Sequence, residues 1–133
     1  MSELTVRIYS FGFIRSGPPE DTTDNGGGYV FDCRFLNNPG YEPGMMSYTG
    51  LDPIIIDMLE SDPEALDFRD EVFSMIDRVV RRYKEKGYTE LYVAFGCTGG
   101  QHRSVYFAEQ LADRLRKRGV WVQLEHRERE LWP

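Results

Sequence analysis

Eight residues of this chain, CTGGQHRS from Cys97 to Ser104, gather a cysteine, two glycines, a histidine, an arginine and two hydroxyl side chains. They lie between an apolar run, TELYVAFG, and an amphipathic one, so the segment joins the end of a strand to the start of a helix. Such a junction leaves backbone N–H groups free at the positive end of a helix dipole, and glycines let the backbone close around an anion. Gly96, Gly99 and Gly100 supply the clearance. Arg103 adds a planar fork that matches phosphate oxygens, and Thr98, His102 and Ser104 add donors, with Gln101 carried in the same loop. Phosphate or sulfate is the natural guest.

The same letters admit covalent chemistry. Cys97, five intervening residues, Arg103 and then Ser104 reproduce the spacing of the phosphate loop of cysteine-dependent phosphatases. There a thiolate attacks phosphorus, the arginine holds the oxygens and an acid protonates the leaving group. Asp32, at the end of a strand, is the candidate acid, although no acid-loop motif accompanies it. A small cysteine that only packs beneath the loop explains Cys97 as well, so no catalytic residue is assigned.

The elements that must position this loop are legible from periodicity. LTVRIYSF (4–11) alternates as a strand with one buried face, and YVFDCRFL (29–36) is aromatic and β-branched like a buried strand, with Asp32 and Arg34 on one face in need of partners. Between them IRSGPPEDTTDNGGG has no apolar period, and 15–28 is expected to be a mobile loop, either a tolerated insertion or a lid hinged at Gly26, Gly27 and Gly28. Asp52-Pro53 and Asp62-Pro63 each pair an N-cap with a proline at the first helical position. Phe68, Val72, Ile76, Val79 and Tyr83 make the second of these helices long. A further helix follows the loop through Val105, Ala108, Leu111, Ala112 and Leu115, and VWVQLEHR (120–127) closes with a strand. The order predicts an α/β domain with a mixed, partly parallel sheet flanked by helices, because a full crossover helix joins the last two strands. Ligands of such sheets gather beyond the carboxyl ends of strands, where the loop sits.

Composition narrows the function classes. The 133 residues suit one domain, with 41% hydrophobic, 14% aromatic and 29% charged residues. Sixteen basic against 22 acidic residues leave a formal charge of −6, which disfavours broad nucleic-acid binding. Two cysteines with no C-x-x-C pair argue for reduced thiols and against a structural metal site; no motif calls for a cofactor. MSELTVRIYSFG lacks signal-peptide architecture and no stretch is long enough to span a bilayer, so the expectation is a cytoplasmic protein that does not engage membranes.

VRIYSFGF, VFDCRFL, SYTGLD, AFGCTGGQHRSVYFAEQLADRLRKRG and EHR occur in the order in which they appear in the C-terminal domain of the bacterial RNase adapter RapZ, the YvcJ-like family. The resemblance runs over nearly the whole chain. It implies a phosphofructokinase-like α/β fold, a site for a sugar phosphate such as glucosamine-6-phosphate, self-association and binding of small RNAs. It carries the ligand contacts onto Thr98, Gly99 and Arg103, with Asp32, Arg34, His126 and Arg127 as matching polar positions. The family's site histidine, in Asn-Pro-His, is replaced by Gly40. Its RNA-contacting basic positions are replaced by Ile14, Val120 and the LWP of 131–133, leaving Lys117, Arg118, Arg127 and Arg129 among acids. The expected function is therefore binding without turnover of a phosphorylated small molecule, read by a protein partner. No Walker-type nucleotide-binding domain is recognisable in the 133 residues. A phosphatase and an RNA adapter are the alternatives, and Trp121 and Trp132 are candidates for self-association or ordinary packing.

Overall fold

The computed structural model describes residues 3–23 and 27–133. Strands β1 (Thr5–Gly12) and β2 (Gly28–Asp32) come first, then helices α1 (Pro53–Glu60) and α2 (Pro63–Glu85), strand β3 (Glu90–Cys97), helix α3 (Arg103–Lys117) and strand β4 (Trp121–His126). The sheet runs β2-β3-β1-β4, and all three pairings are parallel. The α/β class read from the sequence is the one the chain adopts. Where the sequence allowed a mixed sheet, parallel pairing extends to every strand, since each strand re-enters the sheet after a long connection rather than a hairpin. This topology sends all four carboxyl ends to one edge, where Asp32, Cys97, Gly12 and His126 follow one another across the sheet.

The predicted stripe of α3 is buried at Val105, Ala108, Leu111, Ala112 and Leu115, and the helix packs across β1, β3 and β4. Phe31, Phe95 and Phe107 stack in series from β2 through β3 to α3, and Phe68 of α2 meets Phe107 edge-on at 5.1 Å. Asp77 then clamps the two long helices by accepting from Arg114 at 2.6 Å and Arg118 at 2.9 Å. On the other face Arg7 and Glu90 pair across β1 and β3 at 2.9 Å, and Trp121 is 64% exposed. The helices therefore cover one face of the sheet.

One expectation is corrected. The stretch 29–36 is not one buried strand: β2 ends at Asp32 on the sheet edge, with Val30 42% exposed. The chain turns from Cys33 to Leu36, closed by Leu36 N–H donating to the Cys33 carbonyl at 3.2 Å. The partners that Asp32 and Arg34 needed are each other, in an exposed pair at 2.6 Å with Arg34 also 3.9 Å above the Phe13 ring. Hydrogen bonding from Arg34 is the main reason the Asp32 carboxyl lies below its ordinary pKa. Of the glycine-rich segment 15–28, Asp24, Asn25 and Gly26 lie outside the described residues, while Gly27 donates to the Thr23 hydroxyl at 3.1 Å.

Candidate anion-binding site

Beyond Cys97 the chain turns into α3 without using its own amides. No protein acceptor takes the N–H of Thr98, Gly99, Gly100, Gln101, His102, Arg103 or Ser104 among the described residues, and no side chain caps the helix. The loop is fastened instead through its carbonyls and side chains. Gly50 N–H donates to Gln101 O at 2.9 Å, the Gln101 amide donates to the Met46 and Tyr48 carbonyls at 2.8 Å each, and Trp132 Nε1 donates to Gly100 O at 3.1 Å. A loop held by its acceptors keeps its donors free.

Arg103, the first residue of α3, is 3% exposed. Its Nη1 donates to the carbonyls of Leu36 at 2.8 Å, Arg34 at 3.1 Å and Cys33 at 3.4 Å, which is what pins the 33–36 turn to the helix. Its Nε is buried without any partner, and no carboxylate within salt-bridge reach neutralises the guanidinium among the described residues. A buried cation at the positive end of a helix dipole is doubly unfavourable unless an anion joins it.

These groups border a cavity of about 230 Å³. Cys97, Thr98, Gly99, Gln101, His102 and Arg103 contribute from the loop, and Arg15 and Asn38 are polar residues beside them. A Cβ on Gly99 would meet nothing within 4 Å, so open space stands over that residue. Gly100 is the opposite case: its φ of +74° belongs to glycine, and a Cβ there would fall 2.7 Å from Gly12 N and 2.5 Å from Glu128 Cγ. Gly40 is packed as well, its Cβ position being 2.9 Å from His102 Cε1 and 3.1 Å from Met46 Sδ. His102 and Met46 therefore crowd the place where the resemblance puts a second imidazole.

The other residues singled out from the sequence are placed differently. Asp32, Arg34, His126 and Arg127 do not line this cavity. Arg127 donates to the Gly17 carbonyl at 3.1 Å. His126 Nδ1 meets Ser10 Oγ at 2.6 Å and its Nε2 meets Glu109 Oε1 at 2.8 Å, a Ser-His-Glu chain with the two ring nitrogens exchanged relative to a hydrolytic triad. Ser10 has no exposed surface, so this chain ties β1, β4 and α3 together rather than attacking a substrate. Ser104, fully buried, holds the Cys97 sulfur at 3.1 Å. Among the described residues no carboxylate lines the cavity to serve as the acid that phosphatase chemistry at Cys97 requires. The neighbouring Cys33 thiol is pushed well above its ordinary pKa by burial and stays protonated.

Sequence reasoning missed Glu128, a buried carboxylate beside the loop. It accepts from Gly12 N–H at 2.9 Å, Ser16 N–H at 3.1 Å and the Ser16 hydroxyl at 2.8 Å, and its Cγ packs on Gly100. Nothing in the alternating charges of HRERE distinguishes Glu128 from its exposed neighbours. Tyr41 and Met46 also reach the cavity unannounced, because contact across separate loops has no period in sequence.

His102 Nε2 donates to the Met45 carbonyl at 3.0 Å, an assignment fixed by the carbonyl's being an acceptor only. Burial is the largest influence on this ring and takes its pKa below the ordinary 6.5, outweighing the Met45 and Tyr48 carbonyls that favour the cation. The fold thus holds neutral His102, and as the pH falls below that ordinary value the unfolded chain binds the proton first. Stability from this source is complete above about pH 6.5 and is lost as the pH drops toward the lower folded value. Thermal melts should show wild type losing more stability between about pH 7.5 and 5.5 than His102→Gln; equal losses would contradict the assignment.

The family model for the RapZ C-terminal domain matches residues 4–130. The chain belongs to that family. Among its relatives, the RNase adapter protein RapZ of Yersinia pestis is 44% identical over 125 residues, covering 94% of this chain and 42% of its own length. A nucleotide-binding protein of Rhodospirillum rubrum is 42% identical over 126 residues, covering 95% of this chain and 38% of its own length. A third, a nucleotide-binding protein of Petrotoga mobilis, is 39% identical over 130 residues, covering 98% of this chain and 43% of its own length. This RapZ C-terminal domain chain spans about two-fifths of the length of these relatives. None of its described helices is long and apolar enough to cross a membrane.

Proposed function

We propose that this RapZ C-terminal domain is a regulatory module that binds a phosphorylated small molecule in the loop from Cys97 to Ser104 and passes the bound state to a protein partner in the cytoplasm. The observation that carries the reading is Arg103, a nearly fully buried residue whose Nε has no partner and which lines one cavity with Thr98 and Gly99 of the loop. Three carbonyl acceptors and the charge of Asp32, which is beyond salt-bridge distance, offset only part of what burying this cation costs. A dianionic phosphate would offset that cost and accept from the loop amides at once.

A sugar phosphate such as glucosamine-6-phosphate is the first compound to test. The Yersinia relative's name, RNase adapter, supports a protein partner, and the sheet face carrying Trp121 is where a partner or a second copy would lie. RNA binding of the adapter kind has the net charge of −6 against it. Titration calorimetry with glucosamine-6-phosphate and with inorganic phosphate is the test. Saturable heat that competes between the two is expected, and absence of heat from both, with the protein folded, would refute the proposal.

A further inference from the structure

The helix side of the sheet, away from the face that carries Trp121, has an opening of its own. A groove of about 540 Å³ lies between the 33–36 turn and the start of α2, lined by Phe35, Phe68, Pro63, Glu64, Asp67 and Glu71. Its floor is apolar: Phe35 is 59% exposed and meets Phe68 edge-on at 5.3 Å, and Phe68 is braced by Phe31 and Phe107. Its wall is acidic, because Glu64, Asp67, Phe68 and Glu71 recur at helical spacing and so share one face of α2. Pro63 also lines a neighbouring hollow of about 350 Å³, which adds Glu42 and Asp62. Among the described residues no lysine or arginine lines either hollow, and Glu64, Asp67 and Glu71 make no ion pair. The two arginines nearest in sequence are engaged elsewhere, Arg34 with Asp32 and Arg69 with Asp70 and the Tyr106 hydroxyl.

We infer that this groove docks an arginine-bearing segment of a protein partner, its guanidinium among the carboxylates and against the Phe35 ring, its aliphatic stem along Phe68 and Pro63. A large apolar side chain held in solvent beside a groove marks a contact surface, and unpaired carboxylates around it select a cation. Arginine suits the groove better than lysine, because a planar guanidinium both stacks on an aromatic ring and forks to carboxylates. Helix physics accounts for only part of the acidity. Glu64 lies in the first turn of α2, where the dipole favours an anion, but that effect fades within a turn and leaves Asp67 and Glu71 repelling each other four residues apart. Nucleic acid is the wrong occupant, since its phosphates would meet those carboxylates. Phe35 belongs to the turn whose Cys33, Arg34 and Leu36 carbonyls accept from Arg103 Nη1, so the guanidinium beside the anion cavity also fixes the outer wall of the groove. The inference rests on the proposed function for the existence of a protein partner, while none of the groove's lining residues borders the anion cavity.

Fluorescence polarisation of the whole chain with a labelled short peptide bearing arginines on an alanine background, and with its lysine and glutamate counterparts, is the test. The arginine peptide should bind about threefold more tightly than the lysine peptide, and the glutamate peptide should not bind. Replacing the groove acids together, Glu64→Gln with Asp67→Asn and Glu71→Gln, should weaken the arginine peptide at least about tenfold. The same change of charge made by Glu20→Gln, Glu125→Gln and Glu130→Gln, at exposed positions outside the groove, should cost less than about twofold. Phe35→Leu keeps apolar surface without a ring and should abolish the margin of arginine over lysine; Phe35 is mostly in solvent, so folding is not at stake. Equal losses in the two triple variants would overturn the inference by reducing it to net-charge attraction, as would equal binding of the arginine and lysine peptides or no binding of either. A chain that sediments as an oligomer, and as a monomer after Phe35→Ala, would give the groove to a second copy and overturn it as well. Phosphate calorimetry reports separately: the groove variants should bind inorganic phosphate as wild type does, and no heat from phosphate would sink the phosphate reading while the peptide result stood.

Discussion

Gly100→Ala should be the most damaging small substitution in the loop, lowering stability by about 2–5 kcal/mol and the thermal midpoint by on the order of 10 °C. Two costs add. The backbone at Gly100 has a φ of +74°, a conformation that L side chains rarely adopt, and the new methyl would fall 2.7 Å from Gly12 N and 2.8 Å from Phe11 C. Neither neighbour yields easily, since both are backbone atoms at the end of β1, a strand paired on both sides. Glu128 could rotate its Cγ aside, but only by loosening the three hydrogen bonds it accepts at Gly12 and Ser16. A midpoint within about 2 °C of wild type would mean that the loop relaxes more freely than this packing allows.

The loop itself is the part of this molecule most legible in sequence. Strand, glycines, Arg103 and helix follow in an order whose physics is local, so the junction and its free amides can be read without knowing the fold. The stripe through Val105, Ala108, Leu111, Ala112 and Leu115 was equally readable, because burial along one helix has a period. The β2 region misled because aromatic and β-branched residues fit an edge strand and the turn after it as well as a central strand. What turns the chain at Cys33 is Arg103, some 70 residues away in sequence, binding three successive-turn carbonyls. The same blindness applied to Asp32 and Arg34, which satisfy one another, and to His126, which is consumed by Ser10 and Glu109. Polar residues at a strand's carboxyl end are near a site by topology, yet only their hydrogen bonds decide whether they face it.

Arg103→Ala carries the second large expectation: phosphate affinity should fall at least about 100-fold, the scale of two charge-assisted hydrogen bonds. Stability should fall too, by about 1–3 kcal/mol, because the carbonyls of Cys33, Arg34 and Leu36 lose their donor. Relief of an unpaired buried charge works in the opposite direction and limits that loss. Gly99→Ala disentangles the two effects. Its methyl enters open space, so the melt should stay close to wild type, while the same methyl occupies room above the unengaged amides and should cost at least about tenfold in phosphate affinity. Loss of affinity in Arg103→Ala alone, with Gly99→Ala binding as wild type, would place the anion away from the loop.

The most direct measurement is a backbone amide NMR titration of the whole chain with inorganic phosphate. Convergence of the amides from Thr98 to Ser104 on one anion predicts that their resonances move together, with a single affinity, and that the Arg103 Nε–H signal moves with them. Saturation of the protein with phosphate while those resonances stay still, or movement confined to the basic ends of α2 and α3, would contradict the account.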